Sequence, residues 1–354
     1  MKIVTVVGAR PQFIKAAPLS RALREDHQEV LVHTGQHYDD AMSGVFFREL
    51  GIPVPDYNLG VGSGSHGAQT GEMLRRLEET LLTEKPDRVI VFGDTNSTLA
   101  GALAAVKLHI PVAHVEAGLR SYNRAMPEEI NRVVTDHLSD LLFSPTRTGV
   151  ENLAREGLTQ GVHLVGDVMF DALQMFLPIA RARSEALRAF DLSPGGYALL
   201  TLHRAENVDQ DERLRSLMEV LGKVPMPILF PAHPRTRARL NALGLTAQLA
   251  PQIRLTEPVG YLDMLALQAS AKVILTDSGG VQREAFFLSV PSVILRKETE
   301  WPELVETGSS RLEGENFSQL SPDCLLSLRP IPPGDLFGDG SAGRKIAKII
   351  HSQA

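Results

Sequence analysis

Three carboxylates and two loops rich in cations and glycine stand out because each follows, or closely trails, a short apolar run. Asp94 lies just beyond Arg88–Phe92 in Gly93-Asp94-Thr95-Asn96, and Glu116 directly follows Val112–Val115 in Glu116-Ala117-Gly118-Leu119-Arg120. On adjacent parallel strands the two would share one sheet edge, where carboxylates of separated pKa can act as acid and base. A helix cap by Asp94 or Asn96 is the plainer alternative. Glu128, in Met126-Pro127-Glu128-Glu129-Ile130-Asn131-Arg132, is a third candidate where a helix opens. Its neighbour Glu129 reads as a complement to the helix dipole.

The cationic loops suit an anion. Ile3–Val7 exits into Gly8-Ala9-Arg10-Pro11, with Lys15 further on. Glycine permits a tight exit, proline suits a first helical turn, and Arg10 and Lys15 could grip a phosphate at the helix start. A capped helix with solvated cations accounts for this loop equally well. Tyr197–Leu202 ends in His203-Arg204, a pair able to bind phosphate or shuttle a proton. His233, flanked by Pro231 and Pro234, reads first as part of a fixed turn. The most informative segment is Thr276-Asp277-Ser278-Gly279-Gly280, directly after an apolar run. Ser278, Gly279 and Gly280 at a helix start make a cradle of N–H groups for a diphosphate, and Glu284 is in reach of a ribose hydroxyl pair. This is not the glycine-lysine loop of nucleoside triphosphatases.

These loops need strands to hold them. Candidate strands are Ile3–Val7, Val30–His33, Arg88–Phe92, Val112–Val115, Leu141–Phe143 and His163–Val165, then Tyr197–Leu202, Pro227–Phe230, Ile253–Leu255, Lys272–Leu275 and Ser292–Leu295. Most are continuous and aliphatic, the pattern of parallel strands covered on both faces, with helical stretches between them. The expected fold is α/β: two doubly wound, Rossmann-like domains facing a cleft. The expected boundaries are 1–173 for the domain with the carboxylates, 174–340 for a nucleotide-binding domain, and 341–354 for a terminal helix returning to the first.

The 354 residues fit about two domains of ~150 residues each. With 36 basic against 42 acidic residues the net charge is −6, and no basic block suggests nucleic acid. No apolar run approaches the ~20 residues of a membrane span. The start of the chain lacks a signal-peptide pattern, and the single cysteine, Cys324, excludes an internal disulfide framework. A cytoplasmic protein is expected.

Taken in order, Gly8-Ala9-Arg10-Pro11 with Lys15, Thr34-Gly35-Gln36-His37, Gly93-Asp94-Thr95, His114 through Arg120, Pro127-Glu128-Glu129 with Asn131-Arg132, and Thr276 through Gly280 resemble the non-hydrolysing UDP-N-acetylglucosamine 2-epimerases, including a branch acting on UDP-2,3-diacetamido-2,3-dideoxyglucuronate. The match runs from Met1 to near the end of the chain. The resemblance implies the two-domain arrangement shared with one class of nucleotide-sugar glycosyltransferases, a homodimer, a UDP-sugar substrate, and neither metal nor nicotinamide cofactor. It also implies reversible C2 epimerisation by loss and re-addition of UDP through a 2-acetamidoglucal. Asp94, Glu116, Glu128 and His203 would then be catalytic. Arg10, Lys15, Arg204 and Ser278–Gly280 would hold the diphosphate, and Glu284 the ribose.

The sequence departs from the family in three places. Many members carry Arg where Trp301 stands in Thr299-Glu300-Trp301-Pro302-Glu303, and an indole can pack but not pair with phosphate. The uridine loop reads Pro258-Val259-Gly260-Tyr261. Gly60–Gly67 lacks an arginine used by some members for a second, activating ligand, although Gln36, His37 and His233 of that set remain. The simple N-acetyl substrate is favoured as the commoner activity, with the diacetamido-uronate the close alternative. A hydrolysing epimerase, a glycosyltransferase and a non-catalytic nucleotide-sugar sensor complete the alternatives.

Overall fold

Continuous aliphatic runs form most strands of two wholly parallel sheets in the computed structural model, which describes residues 1–35, 51–314 and 316–353. The first sheet uses β1 (Lys2–Val7), β2 (Gln28–His33), β3 (Tyr57–Asn58), β4 (Arg88–Phe92), β5 (Val112–Val115), β6 (Leu141–Ser144) and β7 (Val162–Leu164). Their order across the sheet is β3-β2-β1-β4-β5-β6-β7. Helices α1 (Arg10–Asp26), α2 (His66–Glu84), α3 (Asn96–Lys107), α4 (Pro127–Leu138) and α5 (Arg147–Arg155) make crossovers between these strands. Every residue of β4, β5 and β6 is buried, as a parallel strand covered on both faces requires.

The second sheet contains β8 (Ala198–Thr201), β9 (Ile228–Pro231), β10 (Ile253–Thr256), β11 (Val273–Thr276), β12 (Ser292–Ile294) and β13 (Ser310–Leu312), ordered β10-β9-β8-β11-β12-β13. Its helices include α6 (Val168–Arg183), which runs in from the first sheet, then α7 (Ala186–Ala189), α8 (Ala205–Val208), α9 (Asp211–Leu221), α10 (Pro234–Ala242), α11 (Tyr261–Ser270) and α12 (Gly279–Phe287). Edge strands β3 and β13 are additions to the sequence reading. They have two and three residues and are only partly apolar, so no aliphatic run announces them.

Close helix-on-sheet packing is written into single residues. A Cβ on Gly101 would lie 2.9 Å from Val91 Cγ1, so only glycine lets α3 settle against β4 and β1. Thr95 caps that helix, its hydroxyl accepting from the Thr98 N–H.

Two compact units divide the chain: Met1–Met175 with Asp335–Ala354, and Phe176–Gly334. The last helix, α13 (Ala342–His351), packs on α1, and Gly343 lies so close to Pro18 and Leu19 that a Cβ there would meet their backbone at 3.2 Å. Asp171 anchors it, accepting from the backbone N–H groups of Ala342 (3.0 Å) and Gly343 (2.7 Å).

Burial pushes the Asp171 carboxyl up to about 6 from 3.8, against the lowering effect of the two N–H donors. A carboxyl raised in the folded state contributes stability that is fully present below the unfolded value and lost as pH rises through the folded one. The wild type is therefore expected to lose about 1 kcal/mol relative to Asp171→Asn between about pH 5 and about pH 7.5. Urea unfolding of both proteins across that range measures it; parallel curves would contradict the assignment.

Candidate active site

In each sheet the strand order reverses at one point, between β1 and β4 in the first and between β8 and β11 in the second. Ligands of open α/β sheets bind beyond the carboxyl ends of strands at such points. β1 leads into Gly8–Lys15, β4 into Asp94, β8 into His203 and Arg204, and β11 into Ser278–Gly280. Glu116 follows the next strand, β5, whose Val115 is in register with Phe92 of β4.

In the first unit Gln12 ties two of these exits together. Its Oε1 accepts from the N–H groups of Gly8 (2.8 Å) and Ala9 (2.9 Å), while its Nε2 donates to Phe92 O at 2.8 Å. Arg10 opens α1 in this loop. Lys15, one turn on, is buried and forms an ion pair with Glu116, also buried. Its Nζ lies 3.0 Å from where a Cβ on Gly93 would stand, and Gly93 is left-handed at φ +63°. Glu116 itself adopts φ +77°, a conformation that costs a non-glycine residue about 1 kcal/mol and is concentrated at functional sites.

Asp94 is paired with a different cation. Arg132 of α4 donates through Nη2 to Asp94 and through Nη1 to Glu129 at 2.6 Å. Asn131 Nδ2 donates to the Asp94 carbonyl at 2.9 Å. The two strand-end carboxylates thus meet two different cations, Arg132 and Lys15. Glu128 is half-buried in the first turn of α4, four residues before Arg132. Glu129 has a more specific task than complementing the helix dipole. It accepts from Ser121 N and Oγ and from Tyr122 N, each at 2.9 Å, pinning the preceding loop. Burial pushes its carboxyl up, but the Ser121 N–H and Arg132 outweigh this and hold it below the usual range.

In the second unit one buried carboxylate, Asp277, organises the site. It accepts from His203 N (3.1 Å to each oxygen), Arg204 N (3.0 Å) and Asn207 Nδ2 (3.0 Å). His203 Nδ1 lies 3.1 Å from Asp277 Oδ1, which leaves Nε2 as the ring atom able to meet a substrate. Burial pushes the Asp277 carboxyl up, but His203, Asn207 and the Arg204 N–H prevail and hold it below the ordinary carboxylate range.

Ser278 caps α12, its Oγ accepting from Val281 N, so Gly279 and Gly280 form the first turn of that helix. Glu284 is buried on α12 and accepts from Gln268 Nε2 at 2.7 Å. Trp301 is buried against the turn, its Nε1 3.8 Å from where a Cβ on Gly279 would lie. The Arg283 guanidinium stacks 4.2 Å above the indole, so a cation sits beside Trp301. His233 is exposed and caps α10, accepting from Arg235 N at 3.3 Å. Gln36 and His37 lie outside the described residues.

The roles of Arg132, Asp277, Gln12 and Gln268 are not legible in the sequence. Their chemistry depends on partners brought together by the fold, and Asp277 is 74 residues from His203. Among the described residues no group of three or more His, Cys, Asp or Glu side chains could hold a metal ion.

Fold and site together define a two-unit parallel α/β protein of the glycosyltransferase-B-like class, with carboxylates at one switch point and a glycine-rich helix start at the other. The family model for UDP-N-acetylglucosamine 2-epimerase matches residues 21–351. A UDP-N-acetylglucosamine 2-epimerase homolog of Methanococcus maripaludis is 50% identical, covering 99% of this chain and 100% of the relative. The UDP-2,3-diacetamido-2,3-dideoxy-D-glucuronate 2-epimerase of Pseudomonas aeruginosa is 48% identical, with 99% of both chains covered. The crystal structure of Methanocaldococcus jannaschii UDP-GlcNAc 2-epimerase in complex with UDP-GlcNAc and UDP superposes with a TM-score of 0.93 at 46% identity, over 99% of this chain and 100% of that one. The chain belongs to the UDP-N-acetylglucosamine 2-epimerase family and is an isomerase acting on a UDP-sugar.

Proposed function

We propose that the protein interconverts UDP-N-acetylglucosamine and UDP-N-acetylmannosamine without hydrolysing either. The observation that carries this reading is the pairing of Asp94 and Glu116 with two different cations at neighbouring strand ends. The C2 hydrogen of an acetamido sugar is not acidic, but C1 beside it bears UDP, a good leaving group. A carboxylate takes the C2 proton, the C1–O bond breaks with its electron pair passing to the departing UDP oxygen, and a C1–C2 double bond forms. UDP then re-adds at C1 while a proton returns to C2 from the opposite face.

Asp94, Glu116 and Glu128 supply the proton-handling set, in which Lys15 holds Glu116 and Arg132 holds Asp94. His203, Arg204, Arg10 and the Ser278–Gly280 turn hold the diphosphate as its charge develops, and Glu284 holds the ribose. The same reading includes a homodimer in the cytoplasm. Ile130 and Val134, exposed one turn apart on α4, are apolar surface of the kind a second copy covers. Among the described residues no helix is long and apolar enough to cross a membrane.

Proton NMR of UDP-N-acetylglucosamine with enzyme in D2O, without metal or acceptor, tests the reading. UDP-N-acetylmannosamine carrying deuterium at C2 is the expected product. Free N-acetylmannosamine with UDP would mean hydrolysis, and product only with an acceptor would mean glycosyl transfer. An unchanged spectrum from protein that binds UDP would overturn the substrate and favour UDP-2,3-diacetamido-2,3-dideoxyglucuronate, on which the Pseudomonas relative acts by name.

A further inference from the structure

The two strands that end in candidate carboxylates are fastened by a histidine in an unusual setting. His114 lies on β5, wholly buried, two residues before Glu116. Its Nε2 is 2.7 Å from the Gly93 carbonyl oxygen, and its Nδ1 is 2.7 Å from Asp136 Oδ1. A carbonyl oxygen only accepts, so Nε2 carries a proton. An ionised carboxylate also only accepts, so Nδ1 must carry one too.

Asp136 is ionised for identifiable reasons. Its second oxygen accepts from Arg120 Nη1 at 2.7 Å and from Gly118 N at 3.2 Å. Arg120 is buried in turn, and Glu156 grips it with two bonds of 2.7 Å. Two cations and two carboxylates therefore alternate along one chain of contacts, so a charged imidazole is compensated despite its burial.

We propose that His114 is a doubly protonated imidazolium and a positioning residue for epimerisation, setting the relative placement of Asp94 and Glu116. Gly93 is held by β5 through both of its backbone polar groups: its N–H donates to Val115 O at 2.9 Å, and its carbonyl receives the imidazolium proton. The residue after Gly93 is Asp94, and the residue after Val115 is Glu116. The same charged network reaches past Glu116, because Asp136 also holds the Gly118 N–H. A neutral imidazole donates from one nitrogen only and would release either Gly93 or Asp136. The positioning role rests on the catalytic reading above; the protonation state does not.

Nitrogen-15 NMR of histidine-labelled protein at neutral pH reads the protonation directly, with His114→Gln identifying the resonances. Protons on both His114 nitrogens are expected in the wild type, and one unprotonated nitrogen would overturn the proposal. Activity reads the positioning. His114→Gln can donate to Gly93 or to Asp136 but not hold both, and kcat should fall about 100-fold with KM and UDP affinity within about threefold. An unchanged kcat would overturn the positioning role, as would an equal loss of UDP affinity, which would mark a general structural defect. Should that variant fail to fold, Asp136→Asn keeps the shape and identifies the His114 nitrogens by the shift it causes in the bonded Nδ1; a wild-type His114 with one unprotonated nitrogen would again overturn the proposal. A wild type inert on UDP-N-acetylglucosamine would overturn the substrate reading instead, and the NMR result would then decide this one alone.

Discussion

Asp94→Asn should lower turnover about a thousandfold or more while UDP affinity stays within about threefold. The asparagine side chain has the same shape, and its carbonyl oxygen can still accept from Arg132, so α4 stays fastened to the end of β4. What disappears is the capacity to take and return a proton. The groups proposed to hold UDP lie mostly in the second unit, just beyond β8 and β11, and none of those contacts uses the Asp94 carboxyl. Turnover followed by NMR and UDP binding followed by calorimetry separate the two properties. A kcat within about tenfold of wild type would move the proton transfer to another group. Unchanged binding in a protein that never turned over would instead describe a sensor.

Gly118→Ala is expected to destabilise the fold by about 3 kcal/mol. Gly118 is left-handed at φ +84°, where an alanine costs about 1 kcal/mol. A Cβ there would stand 2.3 Å from the Gly149 carbonyl oxygen and 2.7 Å from its carbon, a backbone clash that adds about 1–3 kcal/mol. Relief would require the Glu116–Gly118 turn to move away from α5, breaking the 3.0 Å bond from Asn152 Nδ2 to the Gly118 carbonyl. Urea denaturation measures the loss. A change below about 0.5 kcal/mol would show that α5 yields easily, contrary to this packing. Because the same turn carries Glu116, the surviving folded enzyme should also be slow.

The strands were largely legible in the sequence. The runs Arg88–Phe92 and Val112–Val115 coincide with β4 and β5 residue for residue, because a parallel strand buried on both faces is largely apolar and ends where glycine or a carboxylate begins. Tyr57–Asn58 escaped because a two-residue edge strand has no such run. For the site, strand ends drew attention to Asp94, Glu116, His203 and Ser278. The partners of these residues were not readable in the same way. Arg132 is 38 residues from Asp94, and a guanidinium facing away from solvent looks no different in sequence from one on a surface helix. Lys15 likewise has a partner that spacing does not announce, a carboxylate 101 residues away that follows a nearby strand. His114 opens the His114–Arg120 motif, but its two acceptors come together only once β4, β5 and α4 have assembled.

The chain leaves the first unit after Met175 and re-enters it at Asp335, so the second unit is an insertion within the first. The first unit is therefore built from both sides of the insertion. Without residues 335–354 it lacks the helix that covers α1 and satisfies Asp171. An isolated first unit cannot be obtained by stopping the gene at Met175; it requires residues 335–354 to be joined back on, or supplied as a separate peptide.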